Sequence, residues 1–305
     1  MDAVSHGERA VRFAEVAPSS GGPVARRVEA SDRMHMASEL RTAGMVWRRE
    51  MIRFLRNKTR IIGGLMQPLL FLFVLGYGLG ALVGSVGGLD YKKFVFPGTF
   101  AMSIVTTSMF SAISIVWDRE FGFLREMLVA PVSRASILLG KTAGGATVAT
   151  TQGLIMLVLA PVVGLKLTPL LVLQVVALGF LAAFALTSFG VFIASRMKKM
   201  EGFQAIMQFL LFPMVTLSGA QFPLTHLPKW LEVITLFDPI TYAVDPIRRA
   251  VLSAQGATPE AIAKFGGNGV KLFGHTLPVA AEVGMVAAFA LVFLSIAIVA
   301  FSKTE

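Results

Sequence analysis

The sequence predicts an all-α integral membrane protein with six transmembrane helices, and three observations carry that prediction. Only 15% of its 305 residues are charged against 55% hydrophobic, with a mean hydropathy of +0.70; soluble domains carry about a quarter charged residues. The apolar residues are gathered into runs without Asp, Glu, Lys or Arg, at residues 61–89, 94–117, 142–165, 167–195, 203–228 and 283–302. Each reaches the roughly 20 residues a helix needs to cross the hydrocarbon. None alternates apolar with polar as a membrane barrel strand would. In lipid every backbone amide must be satisfied inside the protein, so such runs are helices. The spans are placed at about 61–83, 95–116, 137–163, 170–194, 203–220 and 279–301 of a transmembrane domain covering 61–302.

Ahead of the first span, residues 1–36 mix Pro, Gly, Ser and Arg ("APSSGGPVARR") without periodicity and read as a disordered cytoplasmic tail. Residues 37–60 read as an amphipathic helix. Leu40, Gly44, Trp47, Met51 and Phe54 recur at helical spacing, and Arg41, Arg48, Arg49, Glu50, Arg53 and Arg56 occupy much of the rest. A basic helix with aromatic residues on one face suits the inner headgroup layer.

Between the second and third spans the chain interrupts itself with "WDREFGFLREMLVAPVSR", residues 117–134. If Asp118 caps it, the segment makes about three turns before Pro131. Phe121, Leu124 and Leu128 then form an apolar ridge, with Arg119, Glu120, Arg125 and Glu126 on its flanks and Ser133-Arg134 closing it. A connector needs only a few residues. A compact helix with an apolar ridge and a mixed-sign rim is suited to dock into a groove on another protein.

The large segment 221–278 before the last span holds two short amphipathic stretches. "FPLTHLPKWLEVITLF" sets Leu227, Trp230, Leu231, Ile234 and Phe237 on one face, and Asp238-Pro239 breaks it ahead of "ITYAVDPIRRAVL", which contains Tyr242. Both are too short to span and apolar enough to dip into the outer leaflet as re-entrant helices or to pack over the span ends. Residues 253–276 are Gly-rich and polar and read as a loop.

Charge placement orients the chain. With the N-terminus inside, the cytoplasmic segments carry 12 Lys and Arg in residues 1–60, 4 in 118–141, 3 in 196–199 and Lys303, against 8 on the other side. The positive-inside rule puts both termini in the cytoplasm. The net charge of +10 is thus a basic membrane surface, and no nucleic-acid partner is expected. Cysteine is absent, which removes disulfides and thiol chemistry.

Several chemistries are disfavoured. "LLGKTAGG" ends like a phosphate-binding loop, but Ala135 stands where that motif needs glycine and the tripeptide Gly140-Lys141-Thr142 leads into a span rather than following a strand. Lys141 reads as a marker of the inner membrane border. The four histidines, His6, His35, His226 and His275, have no ligand-like spacing, so no metal site is expected. The middle thirds of the spans hold no ionisable residue, which disfavours an ion-coupled carrier. No catalytic residue is assigned. A channel or carrier working alone, and a membrane assembly scaffold, stay as alternatives on composition.

The motif "WDREFGFLREMLVAPVSRASILLGK" closely resembles the E-R-E-x-G-x-L…L-L-V-x-P-[VI]-S-R pattern of the type 2 ABC export permeases. "RFLRNKTRIIGGLMQPLLFLFVLGYGLG", "FVFPG" and "LSGAQFPLTHLPKWLEVITLFDPITYAVDPIRRAVL" extend the resemblance over about residues 45–300, closest in flavour to the daunorubicin-resistance and nodulation lipo-oligosaccharide exporter branch. Asp118 stands where that family more often has Glu, Asp238 where it usually has Asn, and Pro246 where an alanine is common. The resemblance implies a permease subunit that works as a homodimer or with a sister permease. A separate ABC ATPase subunit would bind the ATP and Mg, with no cofactor on this chain. It implies a coupling helix at 117–134 seated on that ATPase, a connecting helix (Trp47, Arg49, Glu50, Phe54) beside it, and an outer gate (Leu227, Trp230, Leu231, Asp238, Pro239, Tyr242). It also implies residence in the plasma membrane, and a drug-, glycolipid- or polysaccharide-like cargo.

The charge asymmetry generates a direct test. In intact cells, single cysteines at Ser133 or Ser195 should be shielded from an impermeant thiol reagent, and one at Asn268 should label. Labelling at Ser133 from outside reverses the orientation.

Overall fold

The computed structural model describes residues 23–83, 85–86, 89–123, 133–221, 228–258, 262, 269–272 and 275–304. The chain forms two compact units, Met1–Ser38 and Glu39–Glu305. Helix α1 (Pro23–Arg56) is followed at once by α2 (Lys58–Phe73). The break between them is Asn57, whose side-chain oxygen accepts from the Arg60 amide at 3.0 Å and caps α2. The tail expected over 1–36 therefore gives way to helix from Pro23 onward. Pro suits a first helical turn, and the stretch that follows is rich in Ala, Arg, Glu and Met, which favour helix.

Helix α2 runs on through a π-helical turn at Val74–Leu79 and a short α-helical turn at Gly80–Val83. Two residue pairs, Ser85–Val86 and Leu89–Asp90, form a small antiparallel hairpin. Then come α3 (Tyr91–Ser111) and α4 (Ile113–Glu120), separated only by a kink at Ala112. Beyond the segment 117–134 lie α5 (Arg134–Val158), a 3₁₀ turn (Ala160–Val163), α6 (Pro169–Arg196) and α7 (Met200–Leu217). Two shorter helices, α8 (Lys229–Phe237) and α9 (Pro239–Ala254), precede a second hairpin (Lys271–Leu272 with His275–Thr276) and the last helix, α10 (Val279–Thr304).

Among the described residues, five helical stretches are long and apolar enough to cross a membrane: Lys58–Leu82, Tyr91–Glu120, Pro169–Arg196, Met200–Leu217 and Val279–Ser302. The third expected span, α5, is not among them. Its 25 residues include four glycines, four threonines and Gln152, which dilute its hydropathy. It is nonetheless a central helix, packed between α3 and α6.

The core is built around α3, which is buried along nearly its whole length by α2, α5, α6 and α9. Its hydroxyls return to its own backbone: Thr99, Ser103, Thr106 and Ser108 each donate to a carbonyl three or four residues back. A polar side chain can sit in an apolar core only when its hydrogen bonds are met. Helix α10 lies along α6, and an aromatic cluster of Phe189, Phe192, Phe289 and Phe293 seals that contact. By contrast α2 and α7 leave much apolar surface uncovered, including Ile62, Leu70 and Val74 on one and Phe209 and Phe212 on the other.

The G-x-x-x-G spacing of Gly140 and Gly144 explains the sequence that imitates a phosphate loop. A Cβ on Gly140 would lie 2.6 Å from the Ala43 carbonyl oxygen, and one on Gly144 would lie 2.9 Å from Glu50 Cβ. The two glycines are the surface on which α1 rests against α5, the use small residues serve between membrane helices. The face α1 presents is Ala43, Val46, Glu50 and Phe54, with Trp47 at its edge donating from Nε1 to Thr147 Oγ1 at 3.0 Å. This is rotated from the expected stripe: Leu40 is exposed and Met51 only partly covered.

Ser195 is fully buried and donates to the Phe192 carbonyl, so a thiol there would be silent from either side; the exposed Lys198 is the better probe of that turn. Gly140→Val should force α1 off α5. Overpacking of this kind costs about 1–3 kcal/mol, so a lower Tm in detergent and faster tryptic cleavage at Arg53 and Arg56 are expected. Unchanged melting and protection would disprove the close approach.

Candidate functional site

Three consecutive residues at the end of α4 each reach a different part of the protein. Asp118 is fully buried, and its carboxylate accepts from Lys141 Nζ of α5 at 2.6 Å and from Arg49 Nη2 of α1 at 2.5 Å. Arg53 Nη2 stands 3.5 Å from its other oxygen. Glu50 joins the cluster at 3.6 Å from Lys141 and 3.8 Å from both Arg49 and Arg53. Ser114 Oγ, one turn before Asp118, accepts from Lys141 at 3.3 Å. Three cations and two carboxylates thus hold the helices α1, α4 and α5 together.

Arg119 points the other way. Its guanidinium donates to the Met197 carbonyl at 2.6 Å and the Ala194 carbonyl at 3.2 Å, capping the open end of α6. A cation at a helix C-terminus satisfies carbonyls that have no partner in the helix and meets the negative end of its dipole. Glu120 accepts from the Met200 amide at 2.9 Å at the start of α7, where a carboxylate is favoured for the opposite reason. At the other end of the segment 117–134, Ser133 caps α5 by accepting from the Ser136 amide, and Arg134 donates to the Ser302 carbonyl at 2.9 Å near the end of α10. The two ends of the segment therefore fasten neighbouring ends of α1, α5, α6, α7 and α10.

The expected single helix over 117–134 is corrected at its start. Residues Ile113–Glu120 complete one helix, so Asp118 is inside a helix rather than its cap, and Glu120 is engaged within the chain. Phe121 and Gly122 end that helix, with Gly122 at φ +82° and its amide donating to the Arg119 carbonyl. The left-handed conformation is what requires glycine here; a Cβ would meet nothing within 4 Å. Leu124, Arg125, Glu126, Leu128 and Pro131 lie outside the described residues. Around the turn, Trp117, Phe121 and Phe123 are 45%, 55% and 49% exposed, with the Trp117 and Phe121 rings 4.7 Å apart.

The residues expected at an outer gate form a second group. Leu227 lies outside the described residues. Trp230, Ile234 and Phe237 are exposed on one face of α8, with Leu231 half-buried beside them. Asp238 caps α9, accepting from the Ile240 amide at 3.0 Å, and Pro239 fills its first turn. Burial pushes the Asp238 carboxyl up to about 7, against the pull of that amide. Tyr242, expected at the outer interface, is instead buried and donates to the Leu236 carbonyl at 2.7 Å, locking α9 to the end of α8. Arg248 is buried, stacks over Phe94 at 4.8 Å and donates to the Gly219 carbonyl. Burial lowers it to about 10, with Asp245 and then Tyr91 opposing that shift.

Sequence reasoning did not single out Lys141, Arg53, Ser114, Arg248 or Glu282 as site residues. For Lys141 the only signal was the Walker-like tripeptide, and the border lysine read there is in fact a buried partner of Asp118. Among the described residues no cluster of three or more His, Cys, Asp or Glu could hold a metal ion.

Residues 43–252 match the family model described as ABC-2 type transporter. The chain is 30% identical over 206 residues to a putative transport permease, ycf38, of Cyanophora paradoxa, covering 66% of this chain and 71% of that one. It is 32% identical over 212 residues to Nodulation protein J of Rhizobium leguminosarum bv. trifolii, covering 68% and 80%. Its identity to the inner membrane transport permease YadH of Escherichia coli strain K12 is 26% over 216 residues, covering 68% and 81%.

The buried pair generates a prediction of its own. Removing one partner of a buried ion pair costs about 3–5 kcal/mol because the other charge is left in a low-dielectric site. Asp118→Asn should therefore lower stability strongly, and adding Lys141→Met should recover a large part of the loss. Thermal unfolding of the two single variants and the double variant checks this; simple additivity would show that the two groups do not interact.

Proposed function

The chain belongs to the ABC-2 type transporter family, and we propose that it is the membrane permease subunit of an exporter driven by a separate ABC ATPase. It moves an amphipathic or lipid-linked substrate, of the drug, glycolipid or polysaccharide kind, out of the cytoplasm or the inner leaflet. Two permease chains, identical or sisters, share two ATPase subunits, which bind the ATP and Mg. In this reading all six long helices cross the plasma membrane, α5 among them, and both termini are cytoplasmic. The positive charge gathered on one side supports that orientation.

The observation that carries the reading is the knuckle at the end of α4. Three aromatic residues, Trp117, Phe121 and Phe123, are left open to solvent at the turn. The three residues between the first two of them are tied to α1, α5, α6 and α7. An aromatic patch of that size suits a groove on a protein partner. Motion applied to it passes through ion pairs and helix caps, which are short and directional, to the ends of four helices. A channel or carrier acting alone has no need for such a patch.

Losing an apolar anchor at the centre of an interface costs about 2 kcal/mol or more, roughly thirtyfold in affinity. Phe121→Ala and Leu124→Asp should each cut recovery of the ATPase in detergent co-purification by at least that factor, while Arg125→Ala should change it far less. Stoichiometric recovery of the ATPase with Leu124→Asp would remove the coupling role from this segment.

A further inference from the structure

Between α6, α9 and the start of α10 lies a cleft of about 700 Å³, within the range of about 300–1,000 Å³ that small-molecule sites occupy. Two of its walls are single helix faces. Pro246, Arg249, Ala250, Ser253 and Ala254 line it from α9 at helical spacing, and Leu170, Leu171, Gln174, Ala177 and Leu178 line it from α6 in the same way. Val279 adds the first turn of α10. Arg249 ties α9 to α10 along one wall. Its Nη2 donates to Glu282 Oε1 at 2.8 Å, its Nε lies 2.6 Å from Asp245 Oδ2, and its Nη1 donates to the Leu277 carbonyl at 3.1 Å. With those partners its charge is already matched inside the protein.

The faces of α6 and α9 run antiparallel, which gives the cleft two unlike ends. Just past α9, Gln255 Oε1 accepts from the Lys166 amide and its Nε2 donates to the Lys166 carbonyl, each at 2.9 Å, immediately ahead of α6. At the opposite end of α9, Tyr242 shares a buried cluster with Ala182 and Ala185 of α6. Lys166, Thr168 and Ser253 therefore stand at the helix-end side of the cleft. Gln174 lies about 9 Å farther along α6 than Thr168, beside Ala177 and Leu178.

The cleft opens sideways, since Leu170, Gln174, Ala177, Ser253 and Val279 are exposed. Helices α6 and α10 are both among those long and apolar enough to cross a membrane, so the opening meets the bilayer. Gln174 is the group out of place there. It sits inside a run without charge, and among the described residues no hydrogen bond reaches its carboxamide. A polar group left without a partner in hydrocarbon is costly. A water molecule needs two to four polar partners to stay, and Leu, Ala, Pro and Val make up most of these walls. The polar groups at the other end are donors as well. Thr168 Oγ1 caps α6 by accepting from the Leu171 amide at 3.2 Å, which leaves its hydrogen to donate elsewhere. Ser253 adds a second hydroxyl, and Lys166 is an exposed cation at the same end.

We propose that this cleft binds one phospholipid side-on, with the phosphodiester at Lys166, Thr168 and Ser253, an ester carbonyl accepting from Gln174, and an acyl chain leaving past Ala177 and Leu178 into the bilayer. Phosphate and ester oxygens are acceptors without donors, which is what a cation, two hydroxyls and a carboxamide N–H call for. The order also fits: the charged group lies at the end of α6 and the apolar part toward its middle. That order holds whichever side of the membrane this helix end faces, and the site does not rest on the exporter reading.

Native mass spectrometry of the full chain, released from phosphatidylglycerol bilayers into mild detergent, tests this and should show one phospholipid per chain. Ala177→Trp fills the cleft from an exposed position and should lower that occupancy by about tenfold or more. Leu291→Trp, on an exposed face of α10 away from the cleft, should leave it unchanged. Gln174→Leu, a gentler change that decides the matter should the indole disturb folding, removes one hydrogen bond and should lower occupancy about two- to tenfold. Phosphatidylglycerol should outcompete a diacylglycerol with the same chains, and Lys166→Gln should narrow that preference. No retained phospholipid, or retention indifferent to both Ala177→Trp and Gln174→Leu, overturns the proposal. Equal retention of diacylglycerol overturns the phosphodiester's part in it. A dimer of the chain that Ala177→Trp breaks, with lipid retention unchanged, overturns it in favour of a second copy as the occupant. No ATPase enters the measurement, so failure of the exporter reading would leave these outcomes as they are.

Discussion

The charge of Asp118 constrains more of this protein than any other single group. A carboxylate with no exposed surface must be matched by cations or it would not stay ionised. The cations that match it come from two different helices, α1 and α5. Their arrival fixes how α1 lies: its inward face must include Arg49 and Glu50 rather than its most apolar residues. The close contact that brings them there depends in turn on Gly140 and Gly144, since any side chain at those positions would hold α1 away and leave Asp118 short of partners. Ion pair and glycine seam are two halves of one arrangement.

That arrangement makes the end of α4 rigid. Asp118, Arg119 and Glu120 leave the helix in three directions because successive residues on a helix turn by about 100°, and each finds a partner of the complementary kind. Buried salt bridges are poor sources of net stability, but they impose a geometry, because a displaced member strands the others. A helix end held in this way transmits displacement rather than absorbing it. The left-handed Gly122 then turns the chain sharply, beside aromatic side chains that the other described residues leave exposed. Rigidity behind the turn and open apolar surface in front of it are what the proposed contact with an ATPase needs.

The two faces of the protein use charge differently. On the α1 side cations exceed carboxylates, in keeping with a basic surface beside anionic headgroups. Between α9 and α10 one guanidinium, Arg249, pairs with both Asp245 and Glu282. Both tie a flanking helix, α1 in the first and α9 in the second, to the long helices.

The helical membrane class and five of the expected spans were legible in the sequence because they depend on one-dimensional quantities: run length and the absence of charge within runs. The family was legible too, since the residues from Trp117 to Lys141 form a contiguous pattern. What the tertiary structure decided is which residues meet. Lys141 looked like a border lysine and Asp118 like a helix cap, and their 2.6 Å contact joins positions on different helices that no local pattern connects. Glu120 looked like a rim charge for a partner and instead caps α7, eighty residues away in the chain. Glu282 sat at the margin of an apolar run and drew no notice, because a buried acid is recognisable only once its neighbours are in place. A helix's hydrophobic stripe follows from local spacing, but a buried charge is placed by its counter-charge. That partner is set by helix packing, which the order of residues along one helix does not contain.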